Sequence, residues 1–258
     1  MGEKIKTKVY YYDICIIGAG GTGSYFLKEV SRYIAGLSKT ARKKIGQMYI
    51  VDGDFVEEKN LNRQSFMPED IGRNKAAVMT EILNEAFGLS YKCIDKYLLS
   101  LEDFPSLRAG SKEENMYKED RMEIYIPILI GCVDNHACRI LCEEYFEKAE
   151  NCIYFDSANE LTDGECVFAY KKNGIVKAPV RSYYFPDIRK GDLRNVSEMS
   201  CEELNSVEPQ HIFTNMYASM QLLVAFRNLI EHNVVMKGWS YFDTLELINE
   251  FHPYKELE

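Results

Sequence analysis

Tyr10-Tyr11-Tyr12-Asp13-Ile14-Cys15-Ile16-Ile17 runs straight into Gly18-Ala19-Gly20-Gly21-Thr22-Gly23, and Ser24 to Leu37 then places Phe26, Val30, Tyr33 and Ile34 at helical spacing. A β-branched and aromatic run, a glycine turn and an amphipathic helix predict strand, tight turn and helix in that order. Met48-Tyr49-Ile50-Val51 supplies a second buried strand, which completes a βαβ unit. Glycines at 18, 20 and 23 let the backbone approach a phosphate, and the helix that they open offers unpaired N–H groups with partial positive charge. Gly18, Gly20, Gly21 and Gly23 are therefore candidate nucleotide-binding positions.

Outward from this unit the same rhythm continues. Lys75 to Phe87 is periodic, with Ala76, Met79, Ile82, Leu83 and Ala86 on one side, and Tyr91 to Ile94 reads as a strand. Ser100 to Glu123 turns polar and charged and reads as a surface insertion or loop. Ile124 to Val133 is the most apolar strand candidate, Cys138 to Ala149 a helix and Cys152 to Phe155 the next strand. Alternation at this spacing predicts an α/β fold with a Rossmann-like, doubly wound and mainly parallel sheet. Beyond residue 160 come Cys166 to Tyr170, a turn at Lys171-Lys172-Asn173-Gly174 and an irregular stretch from Pro179 to Glu208 placed to cover the site. Ile212 to Ile230 is a long amphipathic helix, and Trp239 to Phe251 holds one or two terminal strands or a short helix. One domain over 1–258 is expected, its nucleotide-binding part about 1–160 and a loop, C-terminal helix and antiparallel C-terminal strands about 161–258.

Composition narrows the partners. The 258 residues, 46% hydrophobic, suffice for a large core. Forty acidic against 31 basic residues, a net charge of -9, give no overall field for a polyanion, which disfavours nucleic acid. No apolar run approaches the roughly 20 residues of a membrane span, and Met1 to Lys8 has no apolar secretory core. Eight cysteines, several inside apolar runs and without a CxxC pair, read as buried thiols of a reduced compartment and predict no zinc site. The expected location is the cytoplasm.

Asp52 ends the second strand, where a carboxylate accepts hydrogen bonds from ribose hydroxyls; this suits NAD, FAD or ATP equally. The segment Asp52-Gly53-Asp54-Phe55-Val56-Glu57-Glu58-Lys59-Asn60-Leu61-Asn62-Arg63-Gln64 separates them. Arg63 presents a planar fork to phosphate oxygens, Asn60 and Gln64 add neutral polar contacts and Lys75 adds a point charge. This set suits a triphosphate. Asp134 follows the apolar strand and projects at its carboxyl edge, where it serves either as an ordinary helix N-cap or, bridged by magnesium, as a partner of the phosphates.

These residues resemble the superfamily of ThiF, MoeB and the ubiquitin-activating enzymes, whose pattern is a glycine turn, D-x-D-x-V-E-x-x-N-L-x-R-Q, G-x-x-K-A and C-x-D-N. All four occur in order, at Gly18 to Ser24, Asp52 to Gln64, Gly72 to Ala76 and Cys132 to Asn135. The resemblance implies ATP on Gly20 and Gly23, ribose on Asp52, phosphates on Asn60, Arg63, Gln64 and Lys75, and magnesium on Asp134, with Asp54 assisting the metal or orienting Arg63. The implied chemistry is adenylation of a carboxylate by a homodimer, the substrate being the C-terminus of a small ubiquitin-like or sulfur-carrier protein.

The second half resembles short bacterial PRTRC-type ThiF proteins through Ser200-Cys201-Glu202-Glu203, which makes Cys201 a candidate thioester nucleophile. The zinc-binding CxxC pairs of many relatives are absent, and the N-terminus offers Lys4, Lys6 and Lys8 where relatives carry an arginine for the partner's site. An NAD-dependent dehydrogenase, a tRNA-modifying dehydratase that adenylates a small carboxylate, and a non-catalytic nucleotide-binding scaffold are the competing readings.

Overall fold

A computed structural model of the chain describes residues 7–116, 119–190 and 211–255. Its strands are β1 (Thr7–Ile17), β2 (Ile45–Val51), β3 (Tyr91–Ile94), β4 (Gly110–Met116), β5 (Glu119–Gly131), β6 (Cys152–Asn159), β7 (Asp163–Lys172), β8 (Ile175–Ala178), β9 (Gly238–Asp243) and β10 (Ile248–Pro253). The helices are α1 (Gly21–Gly36), α2 (Lys39–Arg42), α3 (Lys75–Phe87), α4 (His136–Lys148), α5 (Arg181–Tyr184) and α6 (Ile212–His232).

All the strands join one sheet in the order β10-β9-β7-β6-β5-β1-β2-β3, with β4 on β5 and β8 on β7. β6, β5, β1, β2 and β3 are parallel, and β7, β9 and β10 continue the sheet antiparallel. The parallel core is largely apolar sequence because both of its faces are covered. Along β1, Ile14 and Ile16 pack with Phe26, Leu27, Val78, Met79, Leu222 and Phe226 on the face of α1, α3 and α6. Cys15 and Ile17 point the other way, to Cys142 and Phe146 of α4.

β1 lies between β2, the next strand in sequence, and β5, so the winding direction reverses at its end. Ligands of such sheets bind at this reversal, outside the carboxyl ends of the strands. Among the described residues no helix is long and apolar enough to cross a membrane.

Two expectations need correction. Ser100 to Glu123 is not simply a loop: β4 forms within it, and β5 begins at Glu119, paired there with Met116 of β4, and gains β1 as a second partner from Thr7↔Arg121 to Ile17↔Gly131. The last segment takes the strand alternative, a hairpin of β9 and β10, in line with the expected antiparallel C-terminal strands. α4 begins at His136, two residues early, because Asn135 caps it by accepting from the Cys138 N–H at 2.8 Å. Asp134 is therefore not the helix cap. The Lys171 to Gly174 turn forms as expected, with Asn173 and Gly174 both at positive φ, as a tight hairpin requires.

Candidate nucleotide site

The glycine turn is held between the ends of β2 and β5. Gly18 N–H bonds Val51 O at 2.8 Å and Cys132 N–H bonds Ile17 O at 2.8 Å. Gly18 has φ +93°, and a Cβ there would lie 2.5 Å from Cys132 O; at Gly23 a Cβ would lie 1.9 Å from Gly18 O. No side chain larger than hydrogen fits either place. Gly20 starts α1 without a side-chain cap, and the first turn carries no acid. The first helical bond is Ser24 N–H to Gly20 O, so the N–H groups of Gly21, Thr22 and Gly23 have no partner among the described residues. Unpaired amides at the positive end of a helix form an anion cradle.

Asp52 sits beside this cradle. Its Oδ2 accepts from Ala19 N–H at 2.6 Å and its Oδ1 from Asp54 N–H at 2.8 Å. Burial, followed by the charge of Asp54, outweighs Lys75 and pushes the Asp52 carboxyl up to about 6. Lys75 is buried at the start of α3, with Nζ 3.1 Å from Asp54 Oδ2. Asp54 thus binds Lys75 and the Tyr97 hydroxyl; it does not orient Arg63 as expected.

Asn60 and Gln64 are buried in a short helical turn whose chain passes the glycines. Asn60 Oδ1 accepts from Glu57 N–H at 2.9 Å, and Ser65 N–H bonds Ser24 Oγ at 3.0 Å, which pins the turn to α1. A Cβ at Gly20 would lie 3.7 Å from Gln64 Nε2, while the buried Gln64 Oε1 has no hydrogen-bond partner among the described residues. Arg63 is half-buried and its guanidinium has no hydrogen bond or ion pair among the described residues; its backbone is engaged, the N–H by Asn60 O at 3.1 Å and the carbonyl by Asn215 Nδ2 at 3.4 Å. Asp134 is exposed, just past the end of β5. Cys201 lies outside the described residues.

Several site residues escaped the sequence reading. Asn74 caps α3 and donates to the carbonyls of Asp52 at 2.9 Å and Asp54 at 3.1 Å. Thr22, Asn159 and Asn215 form a relay, Thr22 Oγ1 to Asn159 Oδ1 at 3.1 Å and Asn159 Nδ2 to Asn215 Oδ1 at 2.8 Å, that ties α1 to β6 and α6. A polar Asn215 on the inward side of an amphipathic helix was the available signal.

A glycine cradle at the reversal of a doubly wound parallel sheet defines a Rossmann-like α/β protein. The chain belongs to the ThiF family, whose model matches residues 1–256. It is 28% identical over 141 residues to ubiquitin-like modifier-activating enzyme 5 of Oryza sativa subsp. japonica, covering 52% of this chain and 29% of that one. Over 105 residues it is 33% identical to the adenylyltransferase and sulfurtransferase uba4 of Sclerotinia sclerotiorum, covering 39% of this chain and 20% of that one. The chain thus spans less than a third of either relative. Among solved structures, E. coli MccB with ATP superposes with TM-score 0.62 at 15% identity, over 93% of this chain and 63% of that one. PaaA gives 0.61 at 12% identity, over 97% and 65%. MccB has also been solved with AMPCPP and MccA.

Proposed function

We propose that the chain uses ATP to adenylate the C-terminal carboxylate of a small ubiquitin-like or sulfur-carrier protein. The observation that carries this reading is the donor set at one sheet edge: open helix amides, the buried Gln64 side chain, the guanidinium of Arg63, unpaired among the described residues, and the ammonium of Lys75. Such a set fits several phosphate groups, and a hydride-transfer enzyme has no use for it. Names of the relatives, an adenylyltransferase and a modifier-activating enzyme, support the same class of reaction.

Chemically, a carboxylate oxygen of the carrier attacks the α-phosphorus of ATP. One P–O bond forms to the acyl oxygen, the bond to the bridging oxygen breaks, and pyrophosphate leaves with its electron pair. No proton moves, so no general base is required. Negative charge grows on the phosphoryl oxygens, and cationic donors already in place lower the barrier without reorganising. Among the described residues no group of three or more His, Cys, Asp or Glu is placed to hold a metal ion. Magnesium characteristically binds through one or two carboxylates plus phosphate oxygens, and the exposed Asp134 fits that role. When bound there it would screen acid from phosphate.

Six of the seven described cysteines are buried, and burial pushes the Cys15, Cys132, Cys152 and Cys166 thiols up. Those thiols are poor nucleophiles, which supports reserving any thioester step for Cys201; a reducible carrier adduct lost in Cys201→Ala is the test. Buried free thiols also support a cytoplasmic setting. For a homodimer the support is α6, which has no charged residue from Ile212 to Phe226 yet exposes Phe213, Met216, Met220 and Val224. Sedimentation of Met220→Glu as a monomer is the expected result.

Radiolabelled pyrophosphate exchange into ATP, run with candidate carriers, tests the adenylation step. Arg63→Ala is expected to lower exchange by roughly 10²–10³-fold, the usual cost of one charge-stabilising donor, and Asp134→Ala to lower it and shift its magnesium dependence. Exchange indifferent to both would refute the assignment.

A further inference from the structure

Tyr97 lies three residues beyond β3, outside every motif that identified the site. Its ring lies flat on the Asp52-Gly53-Asp54 turn: a Cβ at Gly53 would fall 2.6–2.7 Å from three ring carbons. Its hydroxyl donates to Asp54 Oδ1, while Asp54 Oδ2 receives Lys75 Nζ at 3.1 Å. The Asp54 N–H bonds Asp52 Oδ1, and Asp52 Oδ2 bonds the Ala19 N–H in the glycine turn. A continuous chain of hydrogen bonds therefore runs from Tyr97 through both acids to the cradle.

Burial, then the charges of Asp54, Asp52 and Asp134, push the Tyr97 hydroxyl up from its ordinary range, so it remains a neutral donor. Lys75 is a point charge on a flexible stem, and Asp54 could meet it with either oxygen. With Oδ1 occupied by Tyr97, Oδ2 is the oxygen left for the ammonium.

We propose that Tyr97 is a positioning residue for nucleotide binding, fixing the Asp54 carboxylate so that the Lys75 ammonium is held in one place beside the glycine cradle. This rests on the ATP-site reading above. A purely structural tyrosine would act through its ring, which Tyr97→Phe keeps; a positioning tyrosine acts through its hydroxyl and Asp54.

The two are separated by a double-mutant cycle on ATP–magnesium affinity, measured by calorimetry with Tyr97→Phe, Asp54→Asn and the pair, each with its melting temperature. Tyr97→Phe is expected to weaken ATP about tenfold in the parent background, the worth of a hydrogen bond to a charged group, and less than about twofold in the Asp54→Asn background. Unchanged affinity in Tyr97→Phe, or an equal loss in both backgrounds, overturns the proposal. If the parent protein binds no ATP, the adenylation reading fails and this inference with it. If the parent binds ATP and Tyr97→Phe is silent, this inference alone fails.

Discussion

Under the proposed function Asp52 would accept the ribose hydroxyls best when charged, and its surroundings resist that charge. With the carboxyl pushed up to about 6 from an unfolded value near 3.9, its contribution to folding is present below about pH 4 and is lost as pH rises through about 6. Ligand binding runs the opposite way: below about pH 6 the group is neutral and a poorer acceptor. ATP affinity is therefore expected to fall as pH drops through 6. Calorimetry at pH 5 to 8 on the parent and Asp52→Asn reads this, because the part of the pH step that belongs to Asp52 disappears in the variant. At this scale the motif residues were legible, since glycine turns, Asp52, Arg63 and Lys75 occupy fixed places between strong strand and helix signals. Tyr97 and Asn74 were not, because a single tyrosine after a short strand, or a single asparagine before a helix, has many ordinary explanations.

At the scale of elements, α3 shows how helix capping and site geometry are coupled. Asn74 accepts from Ala77 N–H at 2.9 Å and uses its amide to hold the Asp52 and Asp54 carbonyls. A cap is worth about 1 kcal/mol and each further hydrogen bond about 1, so Asn74→Ala should cost about 2–3 kcal/mol in urea unfolding. Asn74→Asp, which keeps the cap and loses the donor, should recover about 1 kcal/mol. The order β1, α1, β2, α3, β3, β5, α4 and β6 followed from hydrophobic rhythm alone. β4 did not, because Ser100 to Glu123 has too few apolar residues to show a period, and its strand depends on the edge of β5 as partner.

Across the whole molecule, a buried ionic cluster joins parts that are far apart in sequence. Asp156 within β6 meets Arg181 of α5 and lies 3.4 Å from Arg139 of α4, while Arg181 also reaches Glu165 of β7 at 3.4 Å. Arg139 in turn holds the carbonyls of Val133, beside Asp134, and Ser157. Removing one partner strands buried charge, so Arg181→Met is expected to cost about 3–5 kcal/mol, read from the urea midpoint. Partners separated by tens of residues carry no local signal, which is why this cluster was invisible until the sheet brought them together.

Which phosphate bond of ATP breaks is the question on which everything else turns. Phosphorus NMR of ATP, magnesium and protein with a small ubiquitin-like carrier is expected to show AMP or a carrier-bound adenylate together with pyrophosphate, all lost when the carrier's terminal carboxyl is amidated. ADP and inorganic phosphate as the products, or turnover that ignores the amidation, would contradict adenylation at this site.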